Sequence, residues 1–155
     1  MTLPEPPPLH FFASLCVEVA APQEVGATPR GRRRLIPITG GHAQGVDWQA
    51  RVCEGGADFQ LIGEDGLTDL DARYTLETDA GDWIYVQNTA LRAGPPEALA
   101  RLARGEPVDP ALIYFRCLPR FETASKALGW INSRLFVGTG ARRPQQVEMQ
   151  FFLLG

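Results

Sequence analysis

With 155 residues, 45% of them apolar, and a formal net charge of -3, the chain has the size and composition of one globular domain. The acidic balance argues against nucleic acid as a partner, and no apolar run approaches the roughly 20 residues that cross a bilayer as a helix. Residues 1–8 are acidic and proline-rich, without the basic and apolar regions of a secretory signal. They read as a flexible N-terminal segment of a cytoplasmic protein, with a single domain over residues 9–155.

Leu9 to Ala20 has the period of a strand, with Leu9, Phe11, Ala13, Leu15, Val17 and Val19 on one face. Pro22 to Gly31 reads as a turn-rich connection, in which Arg30, together with Arg32, Arg33 and Arg34, marks a solvated hairpin end. Arg32 to Ile38 is expected as a strand that Pro37 places at an edge or a bulge. A glycine-rich link, Gly40 to Gly45, precedes a strand from Val46 to Cys53. Gly55-Gly56 then supplies a tight turn into a strand from Ala57 to Ile62. Further strands are expected at Thr68 to Thr78 and Trp83 to Asn88.

Pro95-Pro96-Glu97 opens one short helix, which Gly105 stops. Strands from Leu112 to Leu118, Ile131 to Val137 and Gln146 to Leu154 follow, with a helical turn at Ala124 to Leu128. Short strands at regular turn spacing indicate an all-β fold. Closing the sheet removes its exposed edges, so an antiparallel β-barrel of about eight to nine strands with one short helix is expected; a two-sheet sandwich is the alternative. A barrel of about eight strands has room for one small ligand.

The chemistry-bearing motifs are sparse. Cys16, Cys53 and Cys117 are far apart and sit in apolar runs, as buried thiols do. Two isolated histidines, His10 and His42, make a poor metal site, so no metal is expected. The glycine-rich link lacks the spacing of a nucleotide loop, and no G-x-S-x-G nucleophile motif occurs. No cofactor is expected.

The densest mixture of aromatic and polar residues runs from Tyr114 to Thr123 and continues at Trp130-Ile131-Asn132. By strand alternation Tyr114, Arg116 and Leu118 share a face, as do Arg73 with Asp71, Tyr85 with Trp83 and Gln87, and Trp130 with Asn132. If these faces point inward, the lumen holds guanidiniums, a phenol, indoles and an amide able to orient an apolar ligand by an oxygen. If they point outward, they form an ordinary solvated surface. Glu122 is expected to pair with Arg116 across a bend at Pro119, as a structural salt bridge or as a ligand contact. Asp58 follows two glycines and shares a face with Gln60. It is either a turn carboxylate or a general acid–base whose pKa is raised by burial.

Gly55 to Gln60, Asp71 to Tyr74, Tyr114 to Arg116, Phe121 to Thr123, Trp130 to Asn132 and Gly138 to Arg142 stand in an order that resembles the bacterial domain-of-unknown-function family 3237, or uncharacterised protein family 0311. The resemblance spans about Leu9 to Leu154. It implies an antiparallel barrel with a central cavity, somewhat similar to lipocalin-like and allene-oxide-cyclase-like barrels, and implies no activity. Phe59 stands where a tryptophan is expected, Ile131 where leucine is, and Leu128 where an aromatic is; the last would alter a pocket rim.

These readings combine into a small-molecule-binding barrel. One version is a cofactor-independent isomerase, cyclase or lyase for a small oxygenated, mostly apolar compound. In it Asp58 transfers the proton, and Arg73, Tyr85, Tyr114, Arg116, Glu122, Trp130 and Asn132 contact the ligand. The alternatives are a non-catalytic carrier and a structural scaffold. A homodimer sealed by apolar residues such as Phe12 and Phe152 is a further expectation.

Overall fold

A computed structural model describes residues 1–155. Seven strands come first: β1 (Leu9–Val19), β2 (Gln23–Thr28), β3 (Gly31–Gly45), β4 (Gln49–Val52), β5 (Ala57–Ile62), β6 (Thr68–Thr78) and β7 (Trp83–Ala93). The helix α1 (Pro96–Ala103) and a 3-10 segment at Pro110–Leu112 interrupt them. Then come β8 (Tyr114–Thr123), a second 3-10 segment at Gly129–Ser133, β9 (Phe136–Arg142) and β10 (Gln146–Leu154).

The sheet closes on itself. β1 pairs β10 on one side and β3 on the other, and β10, β9, β8, β7 and β6 follow in order, all antiparallel. Both β4 and β5 bridge β6 to β3, one near each end of the barrel. The result is a closed eight-stranded antiparallel barrel with two extra strands and one helix. No helix is long and apolar enough to cross a membrane.

Alternation sets what the barrel contains. Toward one end the lumen is filled by rings: Phe12 lies 4.7 Å from Phe136 and 5.2 Å from Phe121, and Phe121 meets Phe136 edge-on at 4.9 Å. Leu76, Ile84, Val86 and Phe151 complete this dry half. Tilted and edge-to-face rings at these separations add attraction beyond burial alone. The other end lies under α1, whose buried face is Ala98, Leu99 and Leu102. Glu97 in its first turn and Gly105 after its end, at φ +78°, fit the helix signals in the sequence. Arg34 donates from Nη1 to the Ala103 carbonyl at 3.0 Å, tying the last turn of α1 to the barrel wall.

Several element boundaries differ from expectation. The connection after Pro22 contains β2, which pairs the first residues of β3. β3 continues through the glycine-rich link, because Gly41, at φ +126°, presses against the Cys16 carbonyl where a side chain would clash. Pro37 falls where pairing to β2 has ended at Leu35 and pairing to β1 starts at Ile38. β7 runs to Ala93 rather than Asn88, and β8 runs straight through Pro119. Pro119 is tolerated because β9 pairs β8 only at Arg116 and Cys117. The segment around Trp130 and Asn132 is the 3-10 turn, not a strand. Phe12 is buried in the aromatic half and Phe152 is half-buried on the outer wall, so the two do not form one surface.

Candidate functional site

Beneath α1 the lumen turns polar. Asp58 and Gln60 from β5, Tyr74 from β6, Asn88 and Arg92 from β7, and Arg142 from β9 face a cavity of about 40 Å³ whose apolar lining includes Phe115 and Met149. Arg34 joins them from β3, as a buried side chain. Alternation places Arg34, Tyr74, Asn88 and Arg92 on the inward face, beside the core residues Ile36, Leu76, Val86 and Ala90 respectively. Gly140 leaves room on β9: a Cβ there would lie 2.8 Å from the Phe115 ring.

One hydrogen-bonded chain orders the carboxylate. Arg34 Nε donates to Gln60 Oε1 at 2.8 Å, and Gln60 Nε2 donates to Asp58 Oδ2 at 2.7 Å. Because Arg34 occupies the amide oxygen, the amide must present its N–H to Asp58. Oδ2 is thereby held as an acceptor, and a proton on this carboxyl belongs on Oδ1. That oxygen is sealed from solvent and has no partner.

Three more buried atoms lack partners: Tyr74 Oη, Asn88 Oδ1 and Arg92 Nε. The Asn88 amide nitrogen donates to Met149 Sδ at 3.4 Å. Arg92 is 4% exposed and lies 5.7 Å over the Phe115 ring. Burial raises the Asp58 pKa, opposed by the Gln60 hydrogen bond and by the charges of Arg92, Arg142 and Arg34. Burial pushes Arg92 down to about 10 despite the Asp58 charge, and lowers Arg34 and Arg142. It raises the Tyr74 phenol and pushes the Cys117 thiol up to about 11, so neither ionises near neutrality. Cys16, Cys53 and Cys117 are all free thiols. No cluster of His, Cys, Asp and Glu side chains suits a metal.

Of the residues singled out in the sequence, Asp58 alone enters this cavity. Arg73 and Tyr85 lie on the outer wall, where Arg73 pairs Asp71 at 3.1 Å. Tyr114 is 55% exposed and sits 5.2 Å under the Arg116 guanidinium, which donates to its neighbour's carbonyl at Phe115. Both line an outer groove of about 890 Å³ with Leu91, Leu118 and Phe152. Glu122 is exposed on the same outer face, and no salt bridge joins it to Arg116, because the straight strand keeps them apart. Trp130 packs edge-on against Phe12 at 5.7 Å, in the opposite half of the barrel. Asn132 accepts from the Thr123 N–H at 2.8 Å and donates to its carbonyl at 2.9 Å, standing in for the strand partner β8 lacks there. Of the two orientations, the outward one holds for Arg73, Tyr85, Tyr114, Arg116 and Glu122; on β8 the apolar alternates Phe115, Cys117 and Phe121 claim the core side.

Sequence patterning assigns Tyr74, Asn88, Arg34, Arg92 and Arg142 no role in the lumen, although Tyr74 and Arg142 stand in the family motifs and Arg34 in the arginine cluster. A signal existed on β7: Ile84, Val86 and Ala90 form an apolar alternate series that Asn88 and Arg92 continue.

A closed antiparallel ring around a polar, partly unsatisfied lumen defines the class as an eight-stranded β-barrel protein. Within it, the chain belongs to the protein-of-unknown-function family DUF3237, which it matches over residues 7–154. A UPF0311 protein of Rhodopseudomonas palustris is 46% identical over 130 residues, 84% of this chain and 83% of that protein. A UPF0311 protein of Clostridium acetobutylicum is 39% identical over 122 residues, covering 79% of this chain and 77% of that protein. The crystal structure of a β-barrel-like protein from Acinetobacter baumannii superposes with a TM-score of 0.88 at 38% identity, over 100% of both chains. An enzyme from Penicillium herquei shares the fold at a TM-score of 0.72 and 21% identity, over 98% of both chains.

Proposed function

We propose that the polar end of the lumen binds a small oxygenated molecule and that Asp58 moves a proton on it without a cofactor, in an isomerisation, cyclisation or elimination. One observation carries this reading: four buried polar atoms on three neighbouring strands lack partners and surround one cavity. Folded proteins satisfy nearly all such atoms, so a cluster of exceptions calls for a missing partner. The proton chemistry follows from Asp58. Burial brings its pKa up toward the working range of a general acid–base, and Gln60 fixes Oδ1 as the oxygen that exchanges the proton. Tyr74 and Arg92 are aimed as donors for an oxygen that gains charge in the transition state. The Penicillium herquei enzyme supports this at the level of fold analogy, since the same architecture houses chemistry there.

The test is a thermal-shift screen of oxygenated metabolites followed by product analysis of each hit. A true substrate raises Tm and is consumed by the wild-type chain. Asp58→Asn binds it and leaves it unchanged, with turnover down about 100-fold or more. A hit that wild-type protein returns chemically intact makes the barrel a carrier. Full turnover by Asp58→Asn removes Asp58 from the chemistry.

A further inference from the structure

We infer that the ligand enters head first and that its head carries an oxyanion beside a hydroxyl group, as a 2-hydroxycarboxylate does. This deepens the lumen-binding reading and rests on it.

The charge comes from the guanidiniums. Arg34, Arg92 and Arg142 lie around one carboxyl, Asp58, and all three feel its charge. Arg34 is engaged by Gln60 and by the Ala103 carbonyl, with Glu24 at 3.7 Å. Neither Arg92 nor Arg142 is in a salt bridge. The Arg92 side chain makes no hydrogen bond, although it is buried. An unpaired cation in a buried enclosure is costly, and an anion placed against it relieves the cost.

The hydroxyl comes from the acceptors. A simple anion would satisfy Arg92 Nε, Tyr74 Oη and a proton on Asp58 Oδ1, all donors, and would leave Asn88 Oδ1 unmet, with Asp58 Oδ1 unmet as well whenever the carboxyl is ionised. The ligand must therefore donate as well as accept within the same small space. The cavity of about 40 Å³ has room for about three waters, at ~10–15 Å³ each, so it takes a head group and no more. The body is then directed past Val19 and Arg142. Val19 and Arg142 line both this cavity and an outer groove of about 630 Å³, formed by the β1–β2 turn, the β9–β10 turn and the end of α1.

Three minimal probes separate the parts: glycolate, with both groups; acetate, with the charge alone; and ethylene glycol, with hydroxyls alone. Each is titrated into the intact chain while the Arg92 Nε–H and Asn88 side-chain amide resonances are followed by NMR. Glycolate is expected to move both signals and to bind about tenfold more tightly than either other probe. Arg92→Met is expected to lose glycolate binding while its own Tm rises; Arg92→Lys, which keeps the charge and loses Nε–H, weakens it; Arg120→Gln on the outer wall leaves it unchanged. Equal binding of ethylene glycol overturns the charge requirement, and equal binding of acetate overturns the hydroxyl. Glycolate shifts confined to surface residues, or undiminished binding by Arg92→Met, overturn the inference. If none of the three binds while the wider screen yields a neutral lumen ligand, the inference fails and the lumen reading stands; if that screen is also blank, both fail.

Discussion

At the scale of single residues, the polar lumen is held against its own stability. Asp58 has a raised pKa in the folded chain, so the folded state holds its proton more tightly than the unfolded state. Its stabilising share is complete below the ordinary aspartate value and is lost as pH rises through the raised one. Asp58→Asn mimics the neutral acid and is expected to flatten this decline, leaving the variant at least as stable as wild type at neutral pH. Urea denaturation midpoints across that pH range measure it; a variant less stable at neutral pH and unchanged at low pH contradicts the assignment. Asp58 was legible in the sequence because paired glycines and Gln60 marked its strand and its face. The arginines were not, because arginine alternating with core residues resembles a surface position until the strand length is known. Arg92 fell beyond the expected end of β7, and Arg34 sat in a run of arginines whose neighbour Arg32 is in fact exposed and paired with Glu24 at 2.7 Å.

At the scale of elements, β8 and β9 show how the wall is shaped around the cavity. Their pairing covers two residues only, and Gly138 and Gly140 admit the Phe151 and Phe115 rings where any Cβ would collide. Gly140→Ala is expected to push the Phe115 ring toward Arg92 and to cost about 1–3 kcal/mol of stability, read from chemical denaturation. Stability unchanged within error would mean the ring yields freely. The sequence marked most strands within a few residues, since period-two patterning and glycine turns are local signals. It misplaced the element at Trp130 and Asn132. The Asn132 clamp on Thr123 is a contact between segments, and no local pattern encodes it.

At the scale of the molecule, closure depends on β1, which is bonded along one edge to β10 and along the other to β3. None of the strands β1, β3, β6, β7, β8, β9 and β10 can leave without opening the ring, so the barrel is expected to unfold in one transition. Far-UV circular dichroism and the fluorescence of Trp48 and Trp130, at the aromatic end, should then give coincident midpoints. Separate midpoints would show that the two halves of the lumen melt independently. The barrel itself was legible from strand number and spacing; which face turned inward was not, because Tyr114 and Leu118 give the outer face of β8 an apolar look.

The rings of Phe12, Phe121 and Phe136 have a directional consequence. They plug one end of the barrel and leave the polar cavity toward the other, beneath α1. On the proposed function, a molecule that reaches the lumen past Arg142 meets these rings as a floor and leaves along its path of entry. Traffic of such a ligand would then be single-file, the incoming molecule and the departing one excluding each other from the lumen.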